Sequence, residues 1–99
     1  GFEKNLEHLV EWVAVGGQWV VDVDPTPQHN HAFTLHLGKL VSRLIKQGWV
    51  LKVQPAGSRP YSHAPHLDSY TLTRTPPGTP VDRDSVNSWN FVLIRSLFQ

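Results

Sequence analysis

Cysteine is absent from the 99 residues, which removes disulfide frameworks, thiolate zinc sites and cysteine nucleophiles together. Long apolar runs are missing too. The longest span only about four or five residues against the ~20 needed to cross a bilayer, and no cationic segment followed by a hydrophobic one opens the chain. A soluble, cytoplasmic protein is expected. Neither sign of charge is in excess, the net charge being +1, so any attraction to nucleic acid or acidic lipid must come from a local patch. No phosphate-cradling glycine loop occurs, because Gly16-Gly17 runs into a strand pattern where anion capture needs a helix. Ser58, Ser62, Ser69 and Ser85 stand outside any G-x-S-x-G frame. No enzyme and no cofactor are expected.

What is present suits one packed domain over residues 1–99. Apolar residues make up 39% of the chain, and four Trp and four Phe supply large areas for burial. The clearest pattern lies in FTLHLGKLVSRLIKQGWVLKV, from Phe33 to Val53. Phe33, Leu37, Leu40, Val41, Leu44 and Ile45 form one apolar stripe at the 3.6-residue period, and Gly48 ends that helix as a left-handed cap. Its start is set either by Thr26 with Pro27 at the first position or by Asn30. An earlier helix is predicted from Phe2, Leu6, Leu9, Val10 and Val13, with Trp12 widening its apolar face and Gly16-Gly17 ending it.

Strands are predicted where apolar residues alternate. Trp19, Val21 and Val23 alternate with Val20, Asp22 and Asp24, Trp49, Leu51 and Val53 with Val50, Lys52 and Gln54, and Tyr70 and Leu72 with Ser69, Thr71 and Thr73. Pro55 to Leu67 is an irregular loop and the expected mobile element. Residues 75–80, TPPGTP, form a stiff connector to the apolar segment 86–98. There Trp89, Phe91 and Leu93 suit a strand, while Val86, Trp89, Leu93 and Leu97 suit a helix; the poor helix formers Asn87, Ser88 and Asn90 favour the strand. The expected fold is α+β: two amphipathic helices packed on one face of a small antiparallel sheet, with a winged-helix order in which the long loop is the wing.

LVEWV at Leu9 to Val13, Ala32 with LGKLVSRLIKQGWVLKV from Leu37 to Val53, and LDSYTLTR from Leu67 to Arg74 together resemble a DEP-type winged helix. That family typically has a first helix with a Trp, a block of the kind A-x-x-L-G-x-x-L-x-x-x-G, and a closing strand rich in Tyr. The resemblance covers about two-thirds of the chain. It implies a non-catalytic module that docks signalling or regulatory complexes onto proteins or membrane head groups. Two features depart from the pattern: a strand stands between Trp12 and Ala32 where the family often has another helix, and the tail beyond Thr75 has no counterpart.

Candidate contact residues follow from charge and exposure. Lys39, Arg43 and Lys46 recur at i, i+4 and i+7, roughly 140° from the apolar stripe at 100° per residue. With Lys52 on a strand and Arg59 and Tyr61 in the loop, they are the expected partner-binding set. Another protein is the expected partner. A nucleic acid is the alternative, with the ridge as recognition helix and Lys52 and Arg59 on phosphates, although near-zero net charge opposes it. His29 and His36, seven apart on a helix, could join His63 or His66 around a zinc ion, but no H-x-x-x-H pair supports this and no metal is expected. Asp22 and Asp24 read as a solvent face that pairs with Lys52 or Arg74 across the sheet. The end Leu97-Phe98-Gln99, with Gly1 at the start, resembles the cleavage site of picornavirus-type 3C proteases. That resemblance implies a small viral polyprotein product engaging a host factor, though a cloning scar or chance would leave the same letters.

Overall fold

The computed structural model describes residues 2–97, and within them the side chains of residues 5–26 and 36–95. Phe33, His29 and the Leu97-Phe98-Gln99 side chains, all invoked above, lie outside these. Six elements follow in the order α1 (Phe2–Glu11), β1 (Gln18–Val23), α2 (Pro27–Lys46), β2 (Val50–Gln54), β3 (Asp68–Thr73) and α3 (Arg83–Leu97). The strands form one antiparallel sheet in the order β1-β3-β2. This is a small α+β fold.

Helix α2 takes the first of its two predicted starts. Thr26 is the N-cap with Pro27 just inside, where a missing N–H costs nothing. Its end satisfies the orphan carbonyls of the last turn by a Schellman pair: Gly48 N–H donates to Ile45 O at 3.0 Å and Trp49 N–H to Leu44 O at 3.0 Å. Gly48 sits at φ +95°, a conformation that side chains resist. The predicted stripe is the buried one, since Leu37, Leu40, Val41, Leu44 and Ile45 are all within the core.

Register assigns the two faces of the sheet. Trp19, Leu72 and Leu51 are in line, as are Val21, Tyr70 and Val53, and this face meets the core, with Leu51, Tyr70 and Leu72 buried and Trp19, Val21 and Val53 packed at its margin. Val20, Thr71 and Lys52 line the opposite face, where Val20 and Lys52 are exposed. Because β3 lies between β1 and β2, Lys52 is not a neighbour of Asp22. The expected cross-sheet pairing is replaced by local bonds: Asp24 accepts Thr26 N–H at 2.9 Å, and Arg74 donates to Val13 O at 2.9 Å.

The strand expected within residues 86–98 is corrected by the structure. Residues 86–97 belong to α3, a third helix that packs mainly on β2 and also on α2, and Phe98 lies outside the described residues. Asp82 supplies the cap that overrides the weak propensity of Asn87, Ser88 and Asn90, its Oδ2 accepting Ser85 N–H at 3.0 Å. Burial of Trp89 and Val92 then holds the helix in place. Trp89 donates its indole N–H to Ser42 Oγ at 2.9 Å and meets Tyr70 edge-on, with ring centroids 5.8 Å apart. The connector before α3 packs against the end of α2: Thr75 Oγ1 donates to Gly48 O at 2.7 Å.

Helix α1 is shorter than expected, and its apolar face is narrower. It ends at Glu11, before Trp12, so Trp12 leaves the helical stripe and stands 84% exposed, with Leu9 at 50%. Val10, Leu6 and Val13 of the predicted stripe do face the core, Val10 buried and the other two packed beside it. No described helix is long and apolar enough to cross a membrane.

Candidate functional site

The basic ridge forms on α2 as its spacing predicts, but one of its members is engaged. Lys39, Arg43 and Lys46 lie along the outer side of the helix, and Arg43 Nη2 pairs with Glu7 Oε1 of α1 at 3.1 Å. Glu7 and Glu11 stand along the same α1–α2 groove, which Leu40, Arg43, Leu44 and Arg74 also line. The positive surface is therefore interrupted by carboxylates. A solvent-facing pair of this kind contributes little to stability, yet it lowers the local potential that an anion would feel.

The other predicted contacts do not join the ridge. Lys52 projects from the sheet face opposite Leu51, whereas Leu51 shares one core with the apolar stripe of α2, so Lys52 lies on the other side of the sheet from that core and does not join Lys39, Arg43 and Lys46. Arg59 is turned into its own loop, donating to Leu67 O at 3.2 Å and Ser62 Oγ at 3.3 Å. Tyr61, at 99% exposure, is the part of this set presented fully to solvent.

The long loop, expected to be mobile, is laced to itself. Gly57 N–H donates to Pro65 O at 2.8 Å, Ser62 N–H to Arg59 O at 3.0 Å and Leu67 N–H to Ala64 O at 3.2 Å. At its root Ala56 N–H donates to Asp68 Oδ1 at 2.7 Å, and the other oxygen of Asp68 is paired with Arg95 of α3. Tyr70 lies beside this buried pair. Burial pushes its phenol up to about 12, the Asp68 carboxylate adds to the rise and Arg95 opposes it.

The surface that sequence reasoning missed is the turn between α1 and β1. Trp12, Val15 and Leu9 are exposed at 84%, 54% and 50%, and Arg74 holds the backbone that carries them. Arg74 Nη1 donates to Val13 O at 2.9 Å, its backbone N–H donates to Gly17 O at 2.9 Å, and its carbonyl accepts Gly16 N–H at 2.8 Å. The guanidinium also lies 5.6 Å from the centre of the Trp49 ring, an arrangement that favours a cation. A large indole is thus displayed on a fixed turn. The signal that locates it in the sequence is Gly16-Gly17: a turn placed so soon after Trp12 leaves the indole no helix face on which to be buried.

Ser85 is buried and its hydroxyl donates to Asp82 Oδ2 at 2.6 Å. Ser58 and Ser62 make hydrogen bonds within their own loop. Among the described residues no three His, Asp or Glu side chains stand together as a metal site; His36 lines the α1–α2 groove, while His63 and His66 stay in the long loop. Comparison with known proteins finds no matching family model, no matching curated protein and no matching solved structure.

Proposed function

We propose that this chain is a non-catalytic protein-interaction module with a DEP-like, winged-helix arrangement, and that it docks its partner through the turn bearing Leu9, Trp12 and Val15. One observation carries the reading: Trp12 is 84% exposed on a backbone that Arg74 fixes by three hydrogen bonds. Tryptophan is among the residues most often found at the energetic centre of protein interfaces, and a contact held in place before binding avoids much of the ordering cost. The winged-helix part is supported by the strand order β1-β3-β2, by α2 leading directly into β2, and by the long β2–β3 loop with Tyr61 at its surface. A single helix between β1 and β2 is its main departure from that arrangement.

Nucleic-acid binding is the weaker alternative, because Glu7 neutralises Arg43 and Lys52, on the other side of the sheet from the core, does not join the ridge. Two variants separate the readings. Trp12→Ala with Val15→Ser removes the apolar contact, and Lys39→Glu with Arg43→Glu and Lys46→Glu reverses the ridge. Photo-crosslinking from position 12 in cells, compared with position 54 on the outer sheet face, should yield a defined protein adduct that the first variant loses and the second retains. Tight duplex or single-strand binding at physiological salt, abolished only by the ridge variant, would overturn the proposal.

A further inference from the structure

The two edges of the sheet are treated differently. At the β2 edge the outward N–H of Leu51 donates to Ser85 Oγ of α3 at 2.8 Å, so a helix covers that side. At the β1 edge, Arg74 N–H meeting Gly17 O sets the alternation of the ladder. By that alternation Trp19 and Val21 exchange bonds with β3, while Gln18, Val20 and Asp22 point their N–H and C=O groups outward. No described residue meets those groups. Edge strands of natural proteins are ordinarily blunted by lysine, proline, a bulge or a covering element. Within QWVVDV there is no lysine and no proline, and Val20 is 57% exposed.

We infer that β1 pairs antiparallel with β1 of a second copy of this chain, centred on Val20, to make a continuous six-stranded sheet. The residue pattern is what selects a copy of itself as the occupant. A two-fold axis at Val20 places Val20 against Val20 of the other copy and Gln18 against Asp22, twice, in hydrogen-bonded positions that share about six backbone bonds. On the outer face the exposed valines cover each other, and each Gln18 amide donates to the other copy's Asp22 carboxylate while the two aspartates stay apart. On the core-side face Trp19 lies opposite Val21, extending apolar margins that are half-buried in one copy alone. Moving the centre one residue, to Val21, would set Val20 against Asp22 on the outer face, and moving it two would bring Asp22 onto Asp22. The contact is short beside a standard interface of ~1,600 Å², so a dissociation constant between ~1 μM and ~1 mM is expected.

Sedimentation equilibrium on the full chain tests this, with charge variants that read the register. The chain should be in monomer–dimer exchange, and Gln18→Asp, which sets a carboxylate against Asp22 at both ends, should weaken it at least ~10-fold. Adding Asp22→Lys to that variant should restore association, because each new carboxylate at position 18 then faces a lysine. Val20→Pro, which removes an outward N–H without touching the ladder to β3, should abolish it. A chain that stays monomeric at ~1 mM, as it would if the edge serves a foreign strand, overturns the inference. So does a dimer that ignores the Gln18→Asp and Asp22→Lys pair.

Discussion

Ser85 Oγ accepts the N–H of Leu51 at 2.8 Å, so a helix side chain occupies the position that a fourth strand's carbonyl would hold. The same hydroxyl donates to Asp82 Oδ2 at 2.6 Å, and Asp82 caps the helix that carries Ser85. Strand edge and helix start are closed by one oxygen.

Replacing Ser85 with Ala should leave the Leu51 N–H buried and unbonded, at a cost of ~1–3 kcal/mol. Urea unfolding measures the loss, and amide exchange at Leu51 should accelerate with it. A loss under ~0.5 kcal/mol, the ordinary size for a surface change, would show that water takes the place of the hydroxyl.

Two glycines with similar backbone angles should respond differently. A Cβ at Gly48 would crowd the Thr79 carbonyl oxygen, whereas at Gly16, also at positive φ, nothing lies within 4 Å. Gly16→Ala should cost ~1–2 kcal/mol from conformation alone. Gly48→Ala should cost clearly more, and equal melting temperatures for the two variants would mean that the 75–80 connector moves aside freely.

The phase of α2 can be checked in the same way. Leu44 is 3% exposed, so Leu44→Ala should destabilise by ~2–5 kcal/mol in urea unfolding. Lys46→Ala, two positions along on the exposed ridge, should stay within ~0.5 kcal/mol.

Tyr70 makes stability depend on alkaline pH. Its phenol is raised from an ordinary 10.0 to about 12, so the unfolded chain releases this proton first. The stabilisation is complete below pH 10 and is lost as the pH climbs towards 12, by up to ~2–3 kcal/mol. Tyr70→Phe should flatten that part of the stability curve in denaturant titrations at stepped pH. An unchanged slope would place the loss on other groups.

These tests bear on what is legible in the sequence. The stripe from Leu37 to Ile45 can be read because one helix face buries it, and Gly48 marks the end because the cap needs positive φ. The segment after Pro80 cannot be read the same way: Trp89, Phe91 and Leu93 fit period two while Val86, Trp89 and Leu93 fit period 3.6, and Asp82 decides between them only once it is recognised as a cap for Ser85. In the candidate site, the outward placement of Lys39 and Lys46 follows from helical phase alone. The engagement of Arg43 by Glu7 does not, because their meeting depends on how α1 lies along α2. Extending α1 past Glu11 through Val13 puts Trp12 on a buried face, and that residue is the one on which the proposed contact depends.

Asp68 joins three parts of the chain that are distant in sequence. Its oxygens hold Ala56 at the root of the long loop and Arg95 in the last turns of α3, while Tyr70 follows it along β3. Tyr61 is thus presented at the tip of a loop whose root is anchored to both β3 and α3. Because one carboxylate holds both, the loop root and the last turns of that helix should open to solvent as a single cooperative unit.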